Sequence, residues 1–258
     1  MKIGCCASIE NVDVVAAAGF DFLECTVVSL VPENDVDYQN IRKKYFDSHL
    51  PVEVCNVFLP GHLKVTGNDV DETAIEIYLS KAIPRVKEIG ADTIVFGSGD
   101  ARSYPENFSK IEAEKQLIRF LKMTTKHAEE HDVTIVIEPL NKKESNIINS
   151  VPEAVELAGK VDHPSIRVLA DFYHMEEEQE HLHHIADAGS LLGHIHVADS
   201  DRLAPGTGTY PYETFTNNLK DINYLLRVSV ECEWRNFEEE AVNSYEFLKT
   251  YIGSDNDE

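Results

Sequence analysis

The sequence predicts a single-domain (β/α)8 barrel, the α/β architecture of the TIM type. Two observations carry this. Short apolar or β-branched runs recur eight times, each followed by an amphipathic segment, and the alternation continues to the C-terminal end. A third is size, because 258 residues match the roughly 250 typical of one such barrel.

The runs that read as strands are Lys2–Ala7, Phe20–Val27, Val52–Phe58, Thr93–Gly97, Val133–Pro139, Ile166–Asp171, Leu191–Ala198 and Arg227–Glu233. Helical patterns follow them in turn, over Val12–Ala18, Asp35–Ser48, Asp71–Gly90, Ser109–His131, Pro152–Val161, Met175–Gly189, Tyr212–Leu219 and Phe237–Tyr251. Breakers fall where elements should change: Gly19 before the second strand, Gly90 before the fourth and Pro164 before the sixth. No linker divides the chain, so the barrel is expected over residues 1–252, with an acidic flexible tail over 253–258. An open doubly wound sheet is disfavoured, since no G-x-G-x-x-G follows the first strand.

Composition narrows the function. With 43% hydrophobic residues the chain can bury a large core, which excludes intrinsic disorder. Its 46 acids against 23 bases give a formal charge of -23, a field that repels phosphate backbones and anionic membranes. Nucleic acid and membrane are therefore excluded as partners. No early stretch has the layout of a signal peptide, and no apolar run approaches the ~20 residues of a membrane span. The five cysteines, Cys5, Cys6, Cys25, Cys55 and Cys232, form no C-x-x-C pair and sit in apolar runs, as expected of free thiols in the cytoplasm.

In such a barrel, chemistry collects at the carboxyl ends of the strands. Glu138 ends the fifth strand, Asp171 the sixth and Glu231 the eighth, while His194 and His196 lie on the seventh. An acid at one strand end is ordinary, because strands often finish at water. Four consecutive strands delivering Glu, Asp, His and Glu to one rim are not ordinary. Three carboxylates without a lysine or arginine among them would repel one another, and a divalent cation removes the conflict. The expectation is one metal ion held by Glu138, Asp171, His196 and Glu231. Mn2+ is foremost, with Mg2+ or Co2+ as alternatives and Zn2+ a poorer match to so many oxygens.

Other residues carry less. His194 sits one layer below the ligand set and reads as a buried supporting residue. His62, after the third strand, stands where it would touch substrate at the mouth, and Glu24 ends the second strand either at substrate or at water. Arg102 reads as a surface charge, with contact to an anionic or strongly polar substrate group as the alternative. His181, His183 and His184 read as a solvated polar face, and Phe172 and Trp234 as packing residues.

At these residues the sequence resembles the xylose isomerase-like barrel superfamily, and within it the D-tagatose/D-psicose 3-epimerase group. The matching motifs are Glu138-Pro-Leu-Asn with Glu144 six residues on, Asp171-x-x-His174-Met, and Gly-His-x-His196 with Arg202 six residues on. Pro205-Gly-Thr-Gly208 and the terminal Glu231 complete the set. The resemblance implies that Glu138, Asp171, His196 and Glu231 hold the metal, with Glu138 and Glu231 doubling as the acid–base pair. It also implies that His174, Arg202 and Glu144 contact substrate. The activity implied is isomerisation or epimerisation of a small sugar, by proton abstraction beside a carbonyl through a metal-stabilised enediolate. Dehydration of a keto-polyol on the same site is the alternative, and a non-catalytic barrel a weaker one. Barrels of this group often associate through their outer helices, so a homo-oligomer is expected. Two places depart from the epimerases: Cys5-Cys6 at the first strand and Glu233 after the final ligand stand where aromatic residues would meet the sugar. A DNA-repair role is rejected, because Asp199-Ser-Asp201-Arg202 supplies no extra histidine ligand and the charge is acidic.

Overall fold

The computed structural model describes residues 1–252, and its strands close into a ring. In chain order they are β1 (Lys2–Cys6), β2 (Phe22–Thr26), β3 (Val52–Asn56), β4 (Thr93–Phe96), β5 (Thr134–Ile137), β6 (Ile166–Asp171), β7 (Leu192–Val197) and β8 (Arg227–Val230). Each pairs in parallel with the next, and β8 closes on β1. Every strand lies within its predicted run, at most two residues short at its start and three at its end, where the chain leaves the ladder to turn over the barrel mouth. The expected tail over 253–258 lies outside the described residues.

Alternating side chains give the barrel two cores. One set fills the ring: Phe22, Val54, Val95, Val136 and Leu169 are wholly buried and pack on one another apart from the main cluster. β1 contributes no side chain there, because a Cβ on Gly4 would lie 2.3 Å from the Phe22 ring. The other set faces the helices, where Phe58, Phe96 and Phe120 meet with ring centroids 5.0–6.3 Å apart. Burial on both faces is why the strands read as continuous apolar runs rather than alternating ones.

The helices are α1 (Val12–Ala18), α2 (Asp35–Phe46), α3 (Glu72–Glu88), α4 (Gly99–Arg102), α5 (Lys110–Glu130), α6 (Val151–Val161), α7 (Phe172–Glu177), α8 (His184–Ala188), α9 (Tyr212–Asp221) and α10 (Phe237–Ile252). Side-chain oxygens of Asp71, Ser109 and Ser150 cap α3, α5 and α6. Ala113, Leu117, Phe120, Leu121, Thr124 and Ala128 of α5 are buried at helical spacing, so one stripe packs on the sheet.

One expected helix is wrong. The segment Met175–Gly189 is two short helices, not one. α7 begins early because Asp171 Oδ1 accepts from the N–H of Tyr173 at 2.7 Å and of His174 at 3.3 Å. It stops before Gln179, whose φ of 53° no helix accommodates. His181 and His183 are exposed and His184 half-buried, in keeping with a polar face. No described helix is long and apolar enough to cross a membrane.

All five cysteines are unpaired. Burial pushes the Cys25 thiol up to about 12 and those of Cys5, Cys6, Cys55 and Cys232 up as well. At pH 8 the folded protein should therefore react with a disulfide-exchange reagent at roughly a tenth or less of the rate of the urea-unfolded chain. Time courses followed by mass spectrometry should find Cys6 and Cys232, the half-buried pair, labelled first.

Candidate metal centre at the barrel mouth

Glu138 and Glu231 each stand one residue beyond their strands yet keep the sheet's register. The Glu138 N–H donates to Phe96 O at 3.2 Å, and the Glu231 N–H to Val197 O at 3.0 Å. Asp171 ends β6 directly opposite His196 on β7. One ligand atom from each of the four residues lies within 4.8 Å of all the others. His196 Nδ1 is 3.1 Å from Glu138 Oε1, 3.4 Å from Glu231 Oε2 and 3.9 Å from Asp171 Oδ2. Space for this comes from β4, whose next inward position is Gly97: a Cβ there would lie 2.1 Å from Glu138 Oε2.

The four residues are held by a second ring of contacts. Glu24, 1% exposed, accepts from His196 Nε2 through one oxygen and bonds His194 Nε2 through the other, each at 2.9 Å. Glu24 thus meets neither of the two partners expected of it. It fixes His196 so that Nδ1 faces the three carboxylates, an arrangement common behind metal-binding histidines. Ser229 Oγ lies 3.2 Å from His194 Nε2, which makes His194 a buried support, as expected. Asp171 uses Oδ1 to cap α7 and keeps Oδ2 toward His196.

The electrostatics follow from this crowding. Burial works against charge on His196, but Glu24 and Glu231 outweigh it and hold its proton affinity well above the ordinary range. Burial also raises Glu138, against the pull of His196. Glu231 goes the other way: burial would raise it, but His196 and Arg202 hold it down at about 2. Three carboxylates around one imidazole form an oxygen-rich donor set that fits a hard divalent cation. Cys6, Glu24 and His196 make a second grouping, but Glu24 is already engaged with two histidines there.

Around this centre stand the other expected residues. His174, 3% exposed, accepts at Nδ1 from the Asn141 N–H at 3.2 Å, so its proton sits on Nε2, which makes no hydrogen bond and lies 3.7 Å from Asp171 Oδ2. Arg202 donates to Glu144 Oε1 and to Glu231 Oε2, both at 2.9 Å, and lies over the Tyr173 ring. The arginine's loop is tied by Asp199, which sequence inspection missed. Its two oxygens accept from the N–H groups of Ser200, Gly206 and Tyr210. His62 is exposed after β3, and among the described residues no hydrogen bond or ion pair joins it to the cluster.

Arg102 is a correction. It is wholly buried, not a surface charge. α4 turns it inward, where its guanidinium donates to Phe96 O at 3.1 Å, Glu138 O at 2.7 Å and Ile148 O at 3.2 Å. It therefore clamps the end of β4, the backbone of Glu138 and the following loop. Burial brings its acidity to about 10, against Glu138, Glu153 and Glu144.

A family model described as the xylose isomerase-like TIM barrel matches residues 12–251. The chain belongs to this family. Among curated members, a D-psicose 3-epimerase of Enterocloster bolteae is 27% identical over 223 residues, 83% of this chain and 73% of that one. A 3-dehydro-D-guloside 4-epimerase of Escherichia coli is 34% identical over 91 residues, 35% of each chain. Of the solved structures, a D-psicose 3-epimerase crystallised in the presence of D-fructose superposes with a TM-score of 0.86 at 23% identity, covering 98% of this chain and all 100% of that one. At such identity the superposition establishes the shared barrel.

Two supports of this xylose isomerase-like barrel can be tested directly. Arg102→Leu takes the donor from the Glu138 carbonyl and one of the two donors from Phe96 O and Ile148 O, and should cost about 2 kcal/mol or more, read from urea unfolding. Glu24→Gln removes the charge behind His196 and should weaken the uptake of an added divalent cation about 10- to 100-fold in calorimetry, with the circular dichroism spectrum unchanged.

Proposed function

We propose that this protein is a divalent-metal-dependent sugar epimerase of the ketose 3-epimerase kind, acting on an unphosphorylated ketose or a close relative. The observation that carries the reading is the convergence of Glu138, Asp171, His196 and Glu231 within 4.8 Å at the carboxyl face of the barrel. Relatives named as D-psicose 3-epimerase and 3-dehydro-D-guloside 4-epimerase support the choice of reaction. The unpaired thiols support a cytoplasmic setting.

Glu138, Asp171, His196 and Glu231 would hold the metal, with Mn2+ the first candidate. When bound, the cation supplies positive charge that stabilises negative charge developing on the substrate's carbonyl oxygen. The rest falls to the side chains. Epimerisation beside a carbonyl removes a carbon-bound proton on one face and returns a proton on the other, through an enediolate. Glu231, held ionised beside Arg202, is suited to accept the first proton. Glu138, whose proton affinity burial raises, is suited to deliver one. His174 offers its Nε2–H, which makes no hydrogen bond within the fold, to a substrate oxygen. Arg202, linked to Glu144, offers a second donor at the same edge.

The test is incubation of the Mn2+-loaded protein with D-psicose, D-fructose and D-tagatose in deuterated water. Deuterium should enter at a carbon beside the carbonyl, the sugar otherwise keeping its mass. Glu231→Gln should lower this exchange about 10²- to 10⁴-fold while the fold is retained. Wild-type rates in that variant would sink the acid–base role. Loss of water with a new ultraviolet absorbance would move the reaction to dehydration on the same site.

A further inference from the structure

Asn56 occupies the mouth without a part in the roles assigned so far. It ends β3, and its carbonyl accepts from the Val27 N–H at 2.8 Å, so its backbone is pinned in the sheet. The next residue, Val57, has φ of 45°, a conformation that β-branched residues rarely adopt. The chain therefore turns sharply just after Asn56. At 6% exposure the side chain is buried, and it reaches across the barrel to donate from Nδ2 to Glu231 Oε1 at 3.2 Å.

That bond decides the rest of the geometry. A carboxylate only accepts hydrogen bonds, so the amide nitrogen must face Glu231 and the amide oxygen must face elsewhere. Oδ1 is buried and has no partner. A buried acceptor left unmatched is unfavourable, and folded chains rarely keep one unless something supplies the missing donor. The mouth carries a complementary group, the Nε2–H of His174, a donor that makes no hydrogen bond and has only Asp171 Oδ2 near it, at 3.7 Å. One unmet acceptor and one unmet donor at the same mouth call for groups that both give and take hydrogen bonds, which hydroxyls do. Charge narrows the ligand further. Glu24, Glu138, Asp171, Glu231 and Glu144 surround the mouth, while Arg202 is already paired with two of them. An anionic group such as a phosphate finds no free cation among these contacts.

We propose that Asn56 is a substrate-contact residue, its Oδ1 accepting a hydrogen bond from a hydroxyl of a neutral, polyhydroxylated substrate that lies against Glu231. The inference rests on the reading of this site as one for a ketose-type sugar. Asn56 acts there as a specificity determinant, because a sugar lacking that hydroxyl leaves the buried oxygen unmatched.

The experiment compares wild type with Asn56→Leu, close in volume but without the amide, and with Asn56→Ala in case the first fails to fold. Mn2+ affinity, D-psicose affinity by calorimetry, and KM and kcat for D-psicose are measured, together with binding of its monodeoxy derivatives. In wild type, one monodeoxy sugar should bind about tenfold or more weakly than D-psicose. In the variants KM should rise about tenfold, the penalty for that one sugar should vanish, and Mn2+ affinity should stay within about threefold. An unchanged KM with the deoxy penalty intact overturns the proposal. So does a loss of Mn2+ affinity that accounts for the whole effect, because Asn56 would then serve only to hold Glu231. Wild-type protein that binds D-psicose but exchanges no deuterium sinks the epimerase reading and leaves Asn56 to be judged on the affinities. Wild-type protein that binds no sugar overturns both.

Discussion

One imidazole surrounded by three carboxylates sets the terms for the upper half of this barrel. Two like unit charges 4 Å apart repel by about 4 kcal/mol at an effective dielectric of 20, so Glu138, Asp171 and Glu231 cannot share a dry space without positive charge. The structure shows how far side chains alone go toward supplying it. His196 is driven toward its protonated form, Arg202 grips Glu231 from the rim, and Asn56 adds an N–H to the remaining oxygen. A divalent cation among the four would meet the same need with greater effect, and His196 would then present a bare Nδ1 in place of a proton.

The closed ring makes such crowding tolerable. No strand has a free edge to slide along, and the mouth residues hang from adjacent, hydrogen-bonded backbones. Glu138 is gripped twice, by the β4 ladder at its N–H and by Arg102 at its carbonyl. Asp171 is gripped by the start of α7. Repulsion that would push loops apart is resisted here by a sheet.

Much of this was legible in the chain. Eight apolar runs with intervening amphipathic segments give the barrel, and strand ends give the four central residues, because period-two alternation and strand order are local properties. The supporting ring was not legible for the opposite reason. Glu24 bonds His194 and His196 from the far side of the ring, and Asn56 meets Glu231 across it, at sequence separations of 170, 172 and 175. No spacing rule reaches that far. Arg102 looked like a surface charge because it follows a glycine–serine turn; only the short α4 folds it under the sheet end. The break between α7 and α8 was hidden because the sequence there keeps a helical rhythm while Gln179 takes a left-handed backbone.

The bare position at Gly97 works as a socket. The fourth strand gives the mouth no side chain at its end, and any substitution there would drive a carbon into the Glu138 carboxylate. A larger residue there and Glu138 in its present place exclude one another. The strands before it fill the mouth instead, with Glu24 of β2 behind His196 and Asn56 of β3 against Glu231. The ring is thus notched rather than level: one strand end left bare makes the gap into which a carboxylate from the next strand fits.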